Sequence, residues 1–167
     1  PLVLNLGQSQ AGPHVLIAGT TGSGKSEFLL TMITGLAVNH HPHQVQFLLV
    51  DYKGGTAMKV FSQLPHTLGL VTDLDGRQTI RTLKMLSSEM QRREQILTGA
   101  HVADIDQYHR AGFKQPLPYL FVIIDEFAEL RDHFTHGLER VMDQFISVAQ
   151  KGRALGVHLI MAMQKPE

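Results

Sequence analysis

Residues 19–26 read Gly19-Thr20-Thr21-Gly22-Ser23-Gly24-Lys25-Ser26, which matches the phosphate-binding pattern G-x-x-x-x-G-K-[ST] at every fixed position. An apolar run over residues 14–18 precedes the motif and predicts a buried strand, and residues 27–33 after it have apolar side chains at helical spacing. In this context successive backbone N–H groups point into one concavity at the positive end of the helix dipole. We therefore interpret the motif as a phosphate loop rather than a chance glycine-rich turn.

The predicted loop assigns a role to each of its last residues. Lys25 is expected to reach the β- and γ-phosphates of a nucleotide, and Ser26 to offer its hydroxyl to Mg²⁺. ATP and Mg²⁺ are therefore the predicted cofactors. The predicted nucleotide-binding residues of the loop and its helix are Thr20, Thr21, Gly22, Ser23, Gly24, Lys25, Ser26 and Glu27.

The composition is ordinary for a globular domain of 167 residues, with 43% hydrophobic and 18% charged residues. Fifteen basic residues balance fifteen acidic ones, so no global field attracts nucleic acid, although a ring of subunits could concentrate charge on one face. The absence of Cys excludes disulfides and thiolate metal sites. No apolar run reaches the roughly 18 residues of a membrane-spanning helix.

Ten histidines are present, and His40, His41 and His43 cluster around Pro42. A metal site is one interpretation of this cluster. A polar loop ending a helix is the preferred one, because Pro42 stops helices and no Asp, Glu or Cys joins the cluster.

Apolar strand patterns alternate with helical ones along the chain. The predicted strands are residues 2–6, 14–18, 46–50, 68–72, 119–124 and 157–162, and the predicted helices are residues 25–40, 56–63, 75–97, 104–110 and 138–154. Fully apolar strands in β–α repeats predict an α/β fold with a mainly parallel sheet and helices on both faces. We expect a single domain over residues 1–167, a piece of a longer protein of several modules that is cut after the last strand.

The long helix is predicted to have two faces. The apolar face is Ile80, Leu83, Met85, Leu86, Met90 and Ile96. The charged face comprises Arg81, Lys84, Glu89, Arg92, Arg93 and Glu94. We interpret it as a surface that faces solvent or a neighbouring subunit, and we interpret Arg92 and Arg93 as ordinary surface residues.

A second catalytic element is predicted at the end of the most apolar strand, where Asp125 and Glu126 follow residues 119–124. Open α/β sheets bind ligands at the carboxyl ends of their strands. We expect Asp125 to hold Mg²⁺, through water, and Glu126 to activate the attacking water; the alternative is a pair of surface acids. Gln164 is a candidate sensor of the γ-phosphate. Arg153 and Arg131 are candidates for the arginine that one subunit supplies to the active site of its neighbour; the alternative is that they are ordinary surface cations.

With both elements present, the chain resembles the FtsK/SpoIIIE branch of ring-forming ATPases from about residue 12 to residue 166. Asp51-Tyr52-Lys53-Gly54-Gly55 is similar to the D-Y-K-G-G segment of the EccC/EssC ATPases of type VII secretion, where DNA translocases usually have D-P-K. Asp125-Glu126-Phe127-Ala128-Glu129-Leu130 also resembles the secretion members. Met163-Gln164-Lys165-Pro166 departs from the usual T-Q-R-P: Lys165 keeps the charge but lacks the planar fork with which arginine makes bidentate contacts.

The resemblance implies a RecA-like P-loop NTPase fold and the first ATPase module of its parent, since the loop and the acidic pair are intact. It implies a membrane-anchored parent on the cytoplasmic face of the bacterial membrane, working as a hexameric ring with neighbouring modules, secretion-system membrane components and exported WXG100-type proteins. DNA is not an expected partner. The alternatives are a DNA translocase motor and a regulatory module that holds nucleotide without hydrolysing it. Lys53 is expected either to touch phosphate or an adjacent protomer, or to be solvated.

Overall fold

The computed structural model describes residues 12–52, 57–72, 77–129 and 138–164. Its strands are β1 (Val15–Gly19), β2 (Val45–Asp51), β3 (Thr67–Val71), β4 (Tyr119–Asp125) and β5 (Val157–Gln164). Its α-helices are α1 (Lys25–Asn39), α2 (Arg77–Gly99), α3 (Ile105–Arg110) and α4 (Leu138–Leu155). A short 3₁₀ turn, Lys59–Phe61, lies between β2 and β3. The strand predicted over residues 2–6, together with Lys53, Arg131 and Lys165, lies outside the described residues.

The five described strands form one sheet in the order β1-β5-β4-β2-β3, and every pair is parallel. This confirms the predicted α/β class. Strand β5 lies between β1 and β4, so the last described strand separates the strand before the predicted phosphate loop from the strand that ends in Asp125.

Both faces of the sheet are buried along the central strands β2, β4 and β5, which explains why these strands are largely apolar, whereas the edge strands β1 and β3 are partly exposed. Alternate residues of β2 face opposite sides: Phe47 and Leu49 belong to the cluster with Leu29 and Ile33 of α1, and Leu48 belongs to the other cluster. That second cluster contains the buried residues of α2, α3 and α4. The helices therefore cover both faces, as predicted.

The prediction that Arg93 lies on the charged surface of α2 is wrong, because its side chain is only 1% exposed. Its Nε donates to Oε1 of Glu89 over 2.9 Å, and its Nη1 donates to the carbonyl of Leu155 over 2.9 Å. Burial lowers the pKa of Arg93, and the nearby Glu89 carboxylate opposes that shift. Arg93 therefore ties α2 to the end of α4, whereas Arg92 lies on the surface and pairs with the same Glu89.

The apolar face of α2 is narrower than predicted. Leu83, Leu86 and Met90 are buried, but Ile80 and Met85 are 43% and 67% exposed. Consequently the packed side of the helix is the stripe that contains Leu83, Leu86, Met90, Arg93 and Leu97.

Several boundaries also differ from the prediction. His14 precedes β1, and its ring links two elements: Nε2 donates to the carbonyl of Ala149 over 2.8 Å, and Nδ1 accepts from the Leu159 N–H over 3.0 Å. β5 continues through Gln164, which is therefore the last residue of the strand rather than a residue beyond it. In the helix predicted over residues 56–63, the described residues form only the 3₁₀ turn.

His40, His41 and His43 lie in the turn between α1 and β2. The backbone N–H of His40 donates to the Leu36 carbonyl over 3.0 Å, which closes α1, and the N–H of His43 donates to Nδ1 of His41 over 3.1 Å. Among the described residues no group of three or more His, Cys, Asp or Glu side chains is arranged to hold a metal ion. Within the same ranges, no helix has the length and apolar character needed to cross a membrane.

Candidate nucleotide site

The predicted phosphate loop joins the carboxyl end of β1 to the first turn of α1. The Ser23 N–H donates to the Thr20 carbonyl over 3.2 Å, which closes a turn inside the loop. Gly24 precedes the helix with φ +88°, a conformation that favours glycine, and its carbonyl accepts from the Phe28 N–H over 2.9 Å. The side chains of Thr20, Thr21 and Ser23 are exposed, so the outer surface of the loop faces solvent.

Lys25 is held inside this loop. Its side chain is 8% exposed, and its Nζ donates to the carbonyls of Gly19 over 2.7 Å and Thr20 over 3.0 Å. The ammonium group therefore lies beneath the loop with part of its hydrogen-bonding capacity used by the backbone. Glu27, two residues along α1, is exposed.

Ser26 and Asp125 meet across the predicted site. The Ser26 Oγ donates to Oδ2 of Asp125 over 3.4 Å, and Asp125 is 2% exposed at the end of β4. A hydroxyl and a carboxylate at this distance provide the oxygen ligands that Mg²⁺ prefers. The donor set therefore fits the predicted metal.

Glu126 follows β4 in an uncommon backbone conformation. Its φ is +71°, in the left-handed region that non-glycine residues rarely adopt, and its side chain is 3% exposed. Its Oε1 accepts from the Gln164 N–H over 3.0 Å. A strained conformation of this kind persists only where the surrounding structure holds it in place. Such conformations cluster at functional sites.

Gln164 lies between the predicted loop and Glu126. Its side-chain Oε1 accepts from the Thr21 hydroxyl over 3.3 Å while its backbone N–H binds Glu126. β1 and β5 pair in register up to Gly19 and Gln164, which brings the two segments together. The structure thus brings together Thr21, Lys25, Ser26, Asp125, Glu126 and Gln164 at one edge of the sheet.

The sequence analysis assigned no site role to a further acidic residue of this edge, Asp51, although its segment was expected at the end of the second strand. Asp51 is fully buried at the end of β2 and is the direct register partner of Asp125 on β4. Its Oδ2 accepts from the Met58 N–H over 3.4 Å. The signal that could have found it is that β2 and β4 are equally long apolar strands, and both end in Asp.

Of the two candidate arginines, the structure describes Arg153, which is not part of this arrangement. Arg153, near the end of α4, is exposed and borders a cavity of about 680 Å³ together with Pro13, Tyr119 and His158. These neighbours precede or begin strands, so the cavity lies at the amino ends of the strands, opposite the predicted loop. Arg131 lies outside the described residues.

The family model named FtsK/SpoIIIE family matches residues 1–167. The chain belongs to the FtsK/SpoIIIE family. Among its relatives, the type VII secretion system protein EssC of Staphylococcus aureus (strain NCTC 8325 / PS 47) is 46% identical over 170 residues. The ESX secretion system protein EccC of Geobacillus thermodenitrificans (strain NG80-2) is 46% identical over 169 residues.

Solved structures similar to this chain have the same fold. The cytoplasmic domain of the type VII secretion ATPase EccC of Thermomonospora curvata matches all of this chain with a TM-score of 0.89 and 36% identity. The pCW3 conjugation coupling protein TcpA, solved with ATPγS, matches 93% of the chain with a TM-score of 0.74 and 28% identity. One structure with this fold is thus from a protein named as an ATPase. The other was solved with the nucleotide analogue ATPγS.

The FtsK/SpoIIIE relatives are much longer than this chain. The EssC and EccC matches cover 99% and 98% of the chain but 11% of each relative, and the Thermomonospora structure is covered to 20%. The TcpA structure is covered to 43%.

Proposed function

We propose that the chain is an ATP-binding and ATP-hydrolysing motor module of a type VII secretion ATPase. The observation that carries this proposal is the meeting of the predicted phosphate loop with the acidic strand end, seen as the 3.4 Å contact between Ser26 Oγ and Asp125 Oδ2. The identity of 46% to EssC over nearly the whole chain supports the type VII assignment.

In the proposed reaction a water molecule attacks the γ-phosphorus of ATP and the bond to the β,γ-bridging oxygen breaks, giving ADP and phosphate. Residues 20–27 hold the phosphates through backbone N–H groups, and Lys25 turns from the Gly19 and Thr20 carbonyls to the β- and γ-phosphates. Glu126 accepts the proton of the attacking water. Ser26 and Asp125 would hold Mg²⁺, which would neutralise negative charge at the phosphates.

Gln164 has a supporting role in the proposal. Its backbone N–H fixes one carboxylate oxygen of Glu126, and its side chain reaches Thr21 in the loop. A γ-phosphate bound at the loop would lie near both contacts of Gln164. A shift of Gln164 on phosphate binding would therefore change its hydrogen bonds to Thr21 and to Glu126 together.

The assignment to a secretion machine concerns a protein much longer than this chain. We propose that the parent is membrane-anchored, with this module on the cytoplasmic face, first in a row of modules within a hexameric ring. Exported WXG100-type proteins and membrane components of the secretion system are the proposed partners. The complex of ATPases 2 and 3 of Thermomonospora EccC with a signal sequence peptide supports peptide recognition within this group of relatives. Arg153 and Arg131 remain the proposed arginines acting on a neighbouring subunit.

The first test is calorimetric binding of Mg²⁺–ATPγS to the chain and to Lys25→Ala. We expect the unchanged chain to bind. The affinity should fall at least about 100-fold in Lys25→Ala, because Lys25 contributes a charge-assisted contact to phosphate. Lys84→Ala, which removes an exposed lysine of α2, is the matched control and should bind like the parent. Equal binding by Lys25→Ala and the parent would contradict the proposed phosphate loop.

The substrate class is tested separately. Hydrolysis that is stimulated by a WXG100-type protein and unchanged by double-stranded DNA is expected. The balanced charge of the chain and the Asp51-Tyr52-Lys53-Gly54-Gly55 segment support this expectation. Stimulation by double-stranded DNA alone would instead favour the DNA translocase.

A further inference from the structure

Glu126 has a backbone conformation that its own side chain does not favour. Its φ of +71° lies in the left-handed region, where the Cβ of a residue other than glycine is crowded by the backbone. Such a residue relaxes to a negative φ unless the chain around it is held in place. The segments that precede and follow Glu126 therefore help to decide where its carboxylate points.

The chain before Glu126 is held by the sheet. Asp125 is the last residue of β4 and pairs in register with the end of β2, and β4 pairs with β5 as far as Ile124. Because each peptide is planar, a residue has only two soft backbone torsions, φ toward the preceding peptide and ψ toward the following one. The ladder thus restricts φ of Glu126, and ψ depends on the peptide that joins Glu126 to Phe127.

The chain after Glu126 is held by an aromatic contact. The ring of Phe127 packs against the ring of Phe145 in α4, with centroids 5.6 Å apart and planes at 79°, an edge-to-face arrangement. Phe145 is 6% exposed and belongs to the core cluster that contains the buried residues of α2 and α4. Because Phe127 directly follows Glu126, this contact with the core restricts the peptide between them and with it ψ of Glu126.

The direction of the Glu126 side chain follows from these two restraints. Its Oε1 accepts from the Gln164 N–H over 3.0 Å at the end of β5. A change of φ from the left-handed to the right-handed region would turn the side chain about the backbone and move the carboxylate away from Gln164. The hydrogen bond to Gln164 is therefore a reporter of the backbone conformation of Glu126.

We propose that Phe127 is a positioning residue for Glu126: its contact with Phe145 holds the left-handed conformation that directs the Glu126 carboxylate to the end of β5. This geometric part of the inference concerns the chain without nucleotide. Its effect on hydrolysis rests on the proposed function, in which Glu126 accepts the proton of the attacking water.

The first measurement follows the backbone amide of Gln164 by NMR, as its proton chemical shift and its hydrogen-exchange rate. Phe127→Leu keeps an apolar side chain and removes the ring. We expect the Gln164 amide to exchange at least about tenfold faster in this variant. Its chemical shift should move toward that of Glu126→Ala, in which the acceptor is missing. The amide of Ile160, within β5, should keep its exchange rate, because the ladder itself is unchanged.

Two further variants separate positioning from a general loss of packing. Phe127→Tyr keeps the aromatic ring and should restore the Gln164 amide of the unchanged chain. Phe113→Leu removes a different aromatic contact, the ring of Phe113 stacked on Tyr108 at a centroid distance of 4.6 Å. It is the matched control and should leave the Gln164 amide as it is.

The second measurement compares ATP turnover with ATPγS affinity. Phe127→Leu should lower kcat about tenfold, because the base is no longer directed at the attacking water, and should leave the ATPγS affinity within about threefold. A shifted Gln164 amide with undiminished turnover would contradict the role of Glu126 as the base, which belongs to the proposed function.

The inference itself is decided by the Gln164 amide. An unchanged amide in Phe127→Leu, beside a shifted one in Glu126→Ala, would overturn the inference and leave the proposed function intact. The same amide in all three chains would overturn it too, because the required hydrogen bond is then not formed. If Phe127→Leu does not fold by circular dichroism, Phe145→Leu removes the same contact from the side of α4, and an unchanged Gln164 amide there overturns the inference equally.

Discussion

The backbone N–H of Gln164 donates to Oε1 of Glu126 over 3.0 Å, although Gln164 ends β5 and Glu126 follows the end of β4. The hydroxyl of Thr21 extends this connection to the predicted phosphate loop through the Gln164 side chain. One carboxylate oxygen of Glu126 is thus fixed by a main-chain group, so its position depends on the pairing of β4 with β5 rather than on another flexible side chain.

Replacement of Glu126 by Gln should separate binding from turnover. The amide oxygen can still accept from the Gln164 N–H, so ATPγS affinity should stay within about threefold of the parent, while phosphate release falls by about 100-fold or more. Phosphate release and calorimetry measure the two quantities, and Glu139→Gln at an exposed position of α4 is the control. Parental turnover in Glu126→Gln would rule out Glu126 as the base.

Arg93 and Arg92 share Glu89 as partner but differ in burial. Arg93→Ala should lower the free energy of unfolding by about 3 kcal/mol, because it leaves the Leu155 carbonyl without its charged donor and opens a cavity between α2 and α4. Arg92→Ala should cost less than about 1 kcal/mol, since its pair with Glu89 is exposed. Urea unfolding of both variants is the measurement, and equal losses would contradict the assignment of Arg93 to the core.

Replacing Gly156 or Gly35 by Ala should change the stability of the fold in opposite directions. Gly156 has φ +70°, and a Cβ there would lie 2.3 Å from Cδ1 of Ile105, so Gly156→Ala should destabilise the fold by about 2–4 kcal/mol. Gly35 lies in α1 with nothing within 4 Å of the added Cβ, so Gly35→Ala should stabilise by about 0.5–1 kcal/mol. Thermal unfolding measures both, and a stable Gly156→Ala would show that the start of β5 can shift.

His158 should make stability depend on pH. Burial lowers its pKa from 6.5 to about 4, against the hydrogen bond from its Nδ1 to the Pro13 carbonyl, which raises it. The unfolded chain therefore binds a proton near pH 6.5 that the folded chain binds only near pH 4. The contribution of uncharged His158 to the free energy of unfolding is therefore complete above pH 6.5. About 3 kcal/mol of that free energy is lost as the pH falls toward 4.

His158→Asn tests this dependence, because the amide N–H₂ can still donate to Pro13. Its free energy of unfolding should be lower at pH 7, owing to the lost stacking on Phe121. It should also fall less between pH 7 and pH 4.5 than that of the parent. The burial of His14 lowers its pKa too, so part of the fall should persist in the variant. Parallel pH profiles of parent and variant would contradict the assignment to His158.

The fold could be predicted because its strands are apolar on both sides. A strand buried on both faces has no polar alternation, so residues 46–50 and 119–124 were recognisable as parallel strands between helices. The phosphate loop and the acidic pair were recognisable because each occupies a fixed place relative to its own strand. The structure brings Ser26 to Asp125, while the chemical roles of both stay predictions.

What the sequence did not reveal depends on contacts between distant segments. Asp51 lies beside Asp125 because of the register of β2 on β4, which no local pattern states. Arg93 was assigned to the surface because its charge fits the polar side of α2, and its acceptor at Leu155 is known only once α4 is packed. Met85 was assigned to the core because it is apolar, yet the helices packed against α2 leave it exposed.

The place of β5 between β1 and β4 has a mechanical consequence. Gln164 at its end touches Thr21 on one side and Glu126 on the other. A displacement of Gln164 would therefore disturb both contacts at once. The predicted loop and Glu126 are therefore not independent at this end of the sheet: a shift of β5 along its axis changes the position of both relative to one residue.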